Sequence, residues 1–459
     1  MSMKDPAFTF IDLFAGIGGF HAAMHAFGGE CVYAVEIDNN AATIYEKNWG
    51  IDPRGDITKD ATDTTMTVPK HDVLCAGFPC QPFSKSGAQL GMEETRGTLY
   101  WNILNIIEKR KPALVVLENV RNLAGPRHIH ELKVIVSTLR DAGYLVTDEP
   151  IIFSPHLLPP SRGGRPQVRE RVFIVAVRKP NSTKDANGQL DAPPVNNQPV
   201  DNWTKMNWDL KKHLPLLDRR RKVSESCELS QSELWWLDAW DEFVREMWEL
   251  REGKRLEGFP LWGNDWEPIE TLEIEEGTPK WKRNFLIKNA QFYSDHKKFI
   301  DHWTKKWDFY SDKFPPSRRK FEWQAQDTPD LWSTAIQMRP TGIRAKQLTY
   351  LPALVAITQT SIIGPYKRRL SVREAARLQG LPDWYDFGEQ ADSASYKQLG
   401  NGVSIGALWH VVRESVHAYK EILEKTAPDL AESVLTSKKS PDTSLKQKPS
   451  SKPMSRSAA

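Results

Sequence analysis

Between residues 8 and 180, short apolar runs alternate with stretches of helical periodicity, and no other feature restricts the fold of this chain as much. The apolar runs are Phe8–Leu13, Cys31–Val35, Val73–Ala76, Ala113–Leu117 and Val172–Val177, with helical patterns near 20–27, 39–48, 98–109 and 127–142 between them. Strands separated by helices read as βαβ units, so an α/β fold is predicted, a doubly wound, Rossmann-like parallel sheet covered on both faces. Such sheets bind ligands beyond the carboxyl ends of their strands, which directs attention to the loops leaving these runs.

At about residue 181 the character changes. Pro, Asn, Asp and Gln crowd residues 180–202, and thirteen of the seventeen tryptophans fall between Trp203 and Trp332. The 459 residues exceed one ordinary core. A first domain over 1–179 is therefore expected, then a second domain over 180–364 that opens on a linker, 180–202. Residues 365–427 should return to the first domain, and 428–459 should form a disordered basic tail. In the second domain Ser230-Gln-Ser-Glu233 is a capping box opening a helix, with Trp236, Trp240, Phe243 and Met247 as its core stripe. Ser371-Val-Arg-Glu374 is another capping box, with Gly380 at the helix end. Ile405, Leu408, Val412, Val416 and Tyr419 make a further helical stripe.

Composition excludes several classes. No run of 18 apolar residues exists, and the N-terminus lacks the basic-then-apolar layout of a signal peptide, so neither membrane nor export is expected. Four cysteines, at 31, 75, 80 and 227, form neither a disulfide framework nor a zinc pattern, which predicts a reducing cytoplasm, free thiols and no metal. A net charge of +3 permits nucleic-acid binding only through a local basic surface.

Two constellations carry chemistry. In the first, Phe10-Ile-Asp12-Leu-Phe14-Ala-Gly16-Ile-Gly18-Gly19-Phe20 takes an apolar strand into a glycine-rich turn and a helix, which frees backbone N–H groups for a ligand. The G-x-G-G spacing is tighter than a dinucleotide fingerprint. Glu36, twenty residues after Gly16, ends the next strand, where a carboxylate can hold ribose hydroxyls. Asp56 and Ile57 follow in the next loop; Asp56 reads as an acceptor for an adenine amine or as a plain turn residue. In the second, Pro79-Cys80-Gln-Pro-Phe-Ser84 leaves an apolar strand. Glu118 leaves the strand Leu114–Leu117 at the same edge, and Arg169 and Arg171 alternate with Gln167 just before 172–177. Cys80 alone could be structural, redox-active or nucleophilic. A thiol has a pKa of about 8.5, and guanidinium groups favour its thiolate. Thiolate, carboxyl and an adenosine pocket together suggest alkyl transfer to pyrimidine C5, because addition at C6 makes C5 nucleophilic.

At these residues the sequence resembles the DNA cytosine-5 methyltransferases. Phe14-Ala-Gly-Ile-Gly-Gly-Phe20 resembles their cofactor loop, Gly77-Phe-Pro-Cys-Gln-Pro-Phe-Ser84 the nucleophile loop and Glu118-Asn119-Val120 the glutamate motif. Gln167-Val-Arg-Glu-Arg171, Arg369–Gln379 and Gly400-Asn-Gly-Val403 match three further motifs in the family's order. The resemblance implies S-adenosylmethionine as methyl donor and a cytosine flipped from duplex DNA. By position it implies Cys80 as nucleophile and Glu118 on the base. Arg169 and Arg171 would position base and phosphate. Phe14, Gly16, Gly18, Glu36, Asp56, Ile57, Pro79, Leu99, Asn401 and Val403 would line the cofactor pocket. Ser84 and Ser86 fall on a loop that closes over DNA. Gly402 stands where the family carries serine, and Ala353 where it carries threonine. The family also implies a catalytic domain over 1–179 that binds S-adenosylmethionine, a variable target-recognition domain over 180–364, and a monomer whose functional partner is a cognate restriction endonuclease. A tRNA-modifying branch would carry a smaller insert than 180–360, and an amino-group methyltransferase would need no cysteine.

In the second domain Arg339 and Arg344 flank Pro340-Thr-Gly342 and read as guanine readers or as phosphate contacts. Arg318, Arg319 and Lys320 read as phosphate binders or a solvated loop.

Overall fold

The computed structural model describes residues 6–79, 98–180, 189–190, 192–214, 225–356 and 360–449. The five predicted strands form, as β1 Phe8–Leu13, β2 Gly29–Val35, β3 Val73–Gly77, β4 Leu114–Val120 and β8 Arg171–Arg178, whereas β5 Tyr144–Thr147, β6 Ile151–Phe153, β7 Gln167–Val168 and a short β9, Gln189–Leu190, were not expected. The main sheet runs β2-β1-β3-β4-β8-β5-β9, with β6 beside β8. Pairings among β2, β1, β3 and β4 are parallel. The chain leaves β1 outward to β2 and then returns across it to β3. The crevice beyond the carboxyl ends of β1 and β3 is thus the point where the winding reverses.

The expectation of a wholly parallel sheet needs correction. β8 pairs antiparallel to β4, β5 and β6. Only short turns, Pro155–Leu157 and Pro160–Arg162, lie between β6 and β7, and a parallel return requires a long crossover. Apolar side chains from alternate strand positions fill both faces. One face packs under helices Gly19–Ala26 and Ile405–Ala418, the other under Leu99–Arg110 and Ile129–Asp141.

The second unit has its own core. Strands β10 Leu261–Trp262, β11 Lys320–Gln324, β12 Thr334–Arg339 and β13 Gly342–Gln347 join β15 Ile362–Ile363 and β16 Arg368–Arg369 in one sheet. That sheet ends at residue 369, five residues past the expected boundary. The capping box Ser230/Glu233 forms and opens helix Gln231–Leu250. Trp240, Phe243 and Met247 are buried on it, and Trp236 is half-buried. Trp240 stacks on Phe321 with centroids 4.5 Å apart, so the tryptophan concentration is a packing feature. Arg318 and Arg319, considered as phosphate binders, are engaged internally. Arg318 Nη1 donates to the Arg339 carbonyl, and Arg319 donates to the carbonyls of Phe314 and Ser311.

β14, Leu351–Pro352, leaves the second sheet and pairs with β7 of the first unit. The second capping box, Ser371/Glu374, opens helix Val372–Gln379, and Gly380 closes it at φ 86°. Helix Asp392–Asn401 follows.

Residues 428–449 are not a disordered tail. Helices Pro428–Leu435 and Pro441–Ser444 pack on the helical layer, both against Ile405–Ala418 and the second also against Gly19–Ala26, with Leu430, Val434 and Leu445 buried. The Ser433 hydroxyl donates to the Phe27 carbonyl, and Arg165 pairs with Asp442 at 2.6 Å. Few apolar residues are needed, because each meets a preformed groove beside helix Gly19–Ala26. Ending the chain after Ala427 removes three buried apolar side chains, at about 1.5–3 kcal/mol each. Differential scanning calorimetry should record a loss of roughly 5 kcal/mol; an unchanged melting temperature would contradict this packing.

Candidate active site

The glycine loop is built by backbone geometry. Phe14 has φ 56°, Gly16 φ 53° and Gly18 φ 85°, a left-handed sequence that turns the chain from β1 into helix Gly19–Ala26. Left-handed backbone at a non-glycine residue is costly, about 1–3 kcal/mol, and concentrates at functional sites. A Cβ on Gly16 would enter open space, so the turn leaves room above it. Gly18 serves differently from the expectation. It is absent from the pocket wall, and a Cβ there would lie 2.2 Å from Trp49 Nε1. Its smallness serves packing. Gly19 admits Val403 in the same way, since a Cβ would meet Val403 Cγ1 at 2.7 Å.

Beneath this loop lies Asp12, which sequence reasoning did not single out. It is fully buried in β1, and one carboxylate oxygen accepts from the His21 N–H at 3.2 Å, fixing the start of the helix. Burial raises its pKa well above the usual carboxylate value. A carboxylate inside the apolar run Phe10-Ile-Asp-Leu13 was the available signal.

One cavity of about 530 Å³ opens beyond β1, β2, β3 and β4. Phe14, Gly16, Glu36, Asp56, Ile57, Pro79, Leu99, Glu118, Arg171, Asn401 and Val403 line it; all eleven are expected site residues, brought together from separate segments of the chain, and of the expected cofactor residues Gly18 is the one absent from the wall. Glu36 accepts from the Gly16 N–H and the Asp38 N–H, both at 2.8 Å, which ties the glycine loop to the end of β2. Asp56 caps helix Ile57–Asp60 through the Thr58 N–H while lining the cavity, so the turn role and the site role coexist. Ile37, which sequence reasoning missed, is 75% exposed at the cavity wall. An apolar side chain so exposed beside Phe14 and Ile57 suits a flat aromatic group. The donor set therefore fits an adenosine: apolar walls for the base and a fixed carboxylate for the sugar.

At the other end stand Glu118 and Arg171. Glu118 pairs with Phe173 in the β4–β8 ladder and Val120 pairs with Arg171. Side chains on one face of an antiparallel pair meet diagonally, which sets Arg171 Nε 3.1 Å from Glu118 Oε1. Gly77 runs beside Glu118 in the parallel ladder, and a Cβ there would come within 3.4 Å of Oε2. Burial raises the Glu118 pKa although Arg171 and Arg169 oppose it, so the carboxyl keeps its proton above the ordinary range. Asn119 Nδ2 donates to the Phe78 carbonyl at 2.9 Å and anchors the chain that leads to residue 80. Cys80, Ser84 and Ser86 lie outside the described residues.

Arg169 does not reach the cavity, which corrects its assignment to base and phosphate. It is 1% exposed. Nη1 donates to the Leu354 carbonyl at 2.7 Å, and Nη2 donates to those of Gly400 at 2.7 Å and Gly402 at 2.6 Å. It is a tie between three segments. Gly400 completes the junction, since a Cβ there would lie 2.4 Å from the Val355 carbonyl carbon. Gly402 is at φ −66°, and a Cβ would make only ordinary contacts. The serine of the family pattern would fit there.

Arg339 and Arg344 stand far from this cavity in sequence and both pair with Glu322, at 2.5 Å and 2.7 Å. Among the described residues no group of three His, Cys, Asp or Glu is arranged to hold a metal. No described helix is long and apolar enough to cross a membrane.

Comparison with known proteins agrees with this geometry. The C-5 cytosine-specific DNA methylase family model matches residues 8–417. The type II methyltransferase M.AluI of Cellulosimicrobium cellulans is 45% identical over 93% of this chain and 95% of its own length. M.HhaI of Haemophilus parahaemolyticus is 41% identical over 42% of this chain and 56% of its own. M.MspI of Moraxella sp. is 46% identical over 38% and 40%. With a family match spanning the catalytic unit, the second unit and the returning helices, and a relative aligned along almost its whole length, this protein belongs to the C-5 cytosine-specific DNA methylases and is a DNA (cytosine-5)-methyltransferase of restriction–modification type.

Proposed function

We propose that this enzyme flips a cytosine out of a specific duplex DNA sequence and methylates C5 through a covalent bond between Cys80 and C6. The observation that carries the reading is the half-buried Glu118–Arg171 pair at the far end of a cavity shaped for adenosine. Pro79, the residue before Cys80 in the chain, lines that cavity.

S-adenosylmethionine, when bound, supplies an electrophilic methyl group. Glu36 would hold its ribose, Asp56 its adenine amine, and Phe14, Ile37 and Ile57 its base. Asn401 and Val403 would close the opposite wall. The chain's own groups do the rest. Cys80 adds to C6 as a thiolate and makes C5 nucleophilic. Protonated Glu118 donates to N3 as charge develops in the ring, and its burial keeps that proton available. Arg171 fixes the carboxyl's orientation. After transfer, solvent water takes the C5 proton, the Cys80–C6 bond breaks to release the thiolate, and the N3 proton returns to Glu118. A cytosine stacked in duplex DNA exposes neither face of C6, so flipping is required. The unit over 203–369 would read the sequence, and the methyl mark would protect host DNA from a cognate endonuclease. A cytoplasmic monomer suffices for this role.

The adduct is tested by incubating the protein and S-adenosylmethionine with duplex DNA carrying 5-fluorocytosine at the target, where fluorine cannot leave as a proton. Wild type should form a denaturation-resistant complex, Cys80→Ala none, and Glu118→Gln one that forms at least about 100-fold more slowly. Equal trapping by Cys80→Ala would remove the thiol from the mechanism.

Glu118 also sets a pH dependence. Its pKa is raised, so its proton is held at low pH and lost as pH climbs through that value, and kcat should fall on the alkaline side. Arg171 opposes the rise. Arg171→Met should therefore lower kcat and move the alkaline fall to higher pH. A fall displaced to lower pH, or unmoved, would show that Glu118 does not act as the proton-bearing group.

A further inference from the structure

The sheet of the second unit has two unlike faces. Phe321, Trp323, Ile336, Met338, Ile343 and Ala345 are buried in the aromatic core. Alternation sends Glu322, Gln337, Arg339, Arg344 and Lys346 to the other face, where all are half-buried. Arg344 occupies the middle of this face, opposite Glu322 on β11 and opposite Gln337 on β12.

The two arginines bind Glu322 by different atoms. Arg339 gives Nη2 to Oε1 at 2.5 Å, and its Nε is buried without a partner. Arg344 gives Nε to Oε2 at 2.7 Å. The terminal nitrogens of Arg344, the fork that matches guanine O6 and N7, make no other bond among the described residues, and the side chain is 32% exposed. The same face continues to the catalytic edge. Lys346 stands 3.3 Å over the Tyr350 ring, Tyr350 stacks with His156, and β14 then pairs with β7 beside Arg169.

We propose that Arg344 reads a guanine of the target sequence and that Glu322 is the positioning residue that presents it, with Arg339 supporting the carboxylate rather than reading a base. This rests on duplex DNA being the substrate. A carboxylate facing polyanionic DNA weakens binding unless it does something else. Here it holds a long side chain in one rotamer before DNA arrives, so that less freedom is lost on binding.

The sign of one effect separates positioning from surface charge. Dissociation constants would be measured for wild type, E322Q, R344A and R344K. The duplexes would be the methylated target, found by sequencing methylated DNA from an expressing host, single G·C replacements within it, and an unrelated sequence. E322Q should bind the unrelated duplex as well as or better than wild type, yet lose roughly 5- to 150-fold of its preference for one G·C pair. R344A and R344K should lose preference at that same pair, and adding E322Q to R344A should cost nothing more. E322Q binding every duplex tighter in equal proportion would overturn the proposal, as would R344K retaining full preference. If E322Q melts below the assay temperature, R344K, which keeps charge and size, decides alone. Wild type that methylates no DNA would instead defeat the reading beneath this one.

Discussion

The arrangement depends on one buried guanidinium. Arg169 joins the start of β8 to the carbonyls of Leu354, Gly400 and Gly402, segments that lie 185, 231 and 233 residues further along the chain. Taking that charge out of water pushes its pKa down to about 9, which still leaves it charged near neutrality. Hydrogen bonds from charged donors contribute about 1.5–3 kcal/mol each, so three of them offset a large desolvation cost. What the bond set secures is registry. It fixes the exit of the second unit and the Asn401–Val403 wall of the cavity to the segment that leads into β8 and Arg171.

The cavity is then assembled around that junction. Val403 reaches the glycine loop because Gly19 has no side chain to oppose it, and Gly400 lets the Val355 backbone approach. Glu36 joins the ends of β1 and β2, and Glu118 faces Arg171 across the β4–β8 ladder. Strain at Phe14 and a desolvated Glu118 carboxyl, whose pKa burial raises, are the local costs of such a site, and the surrounding core of both sheet faces bears them.

Much of this was legible in the residues. The five long strands and four helices expected up to residue 178 follow from local periodicity, whereas the short β5, β6 and β7 were not read, and both capping boxes formed as read. Glu36 and Glu118 were found because each acid ends an apolar run, and Asp56 because it follows in the next loop, a pattern that topology converts into proximity. The direction of β8 was not legible, since it depends on how little chain separates it from β6. Nor was the role of Arg169: its partners are backbone carbonyls, which leave no mark in a sequence. Leu430, Val434 and Leu445 are too sparse to announce a core-facing helix until the groove that receives them is known. Arg339 and Arg344 looked equivalent, and only the atoms they give to Glu322 distinguish them.

The claim that Arg169 ties the two units together is tested most directly by hydrogen–deuterium exchange on wild type and Arg169→Met. Amides of 351–356 and 398–403 should lose protection together in the variant, while those of β1 and β4 keep theirs. Protection retained in both segments, or lost only around residue 169, would contradict the account.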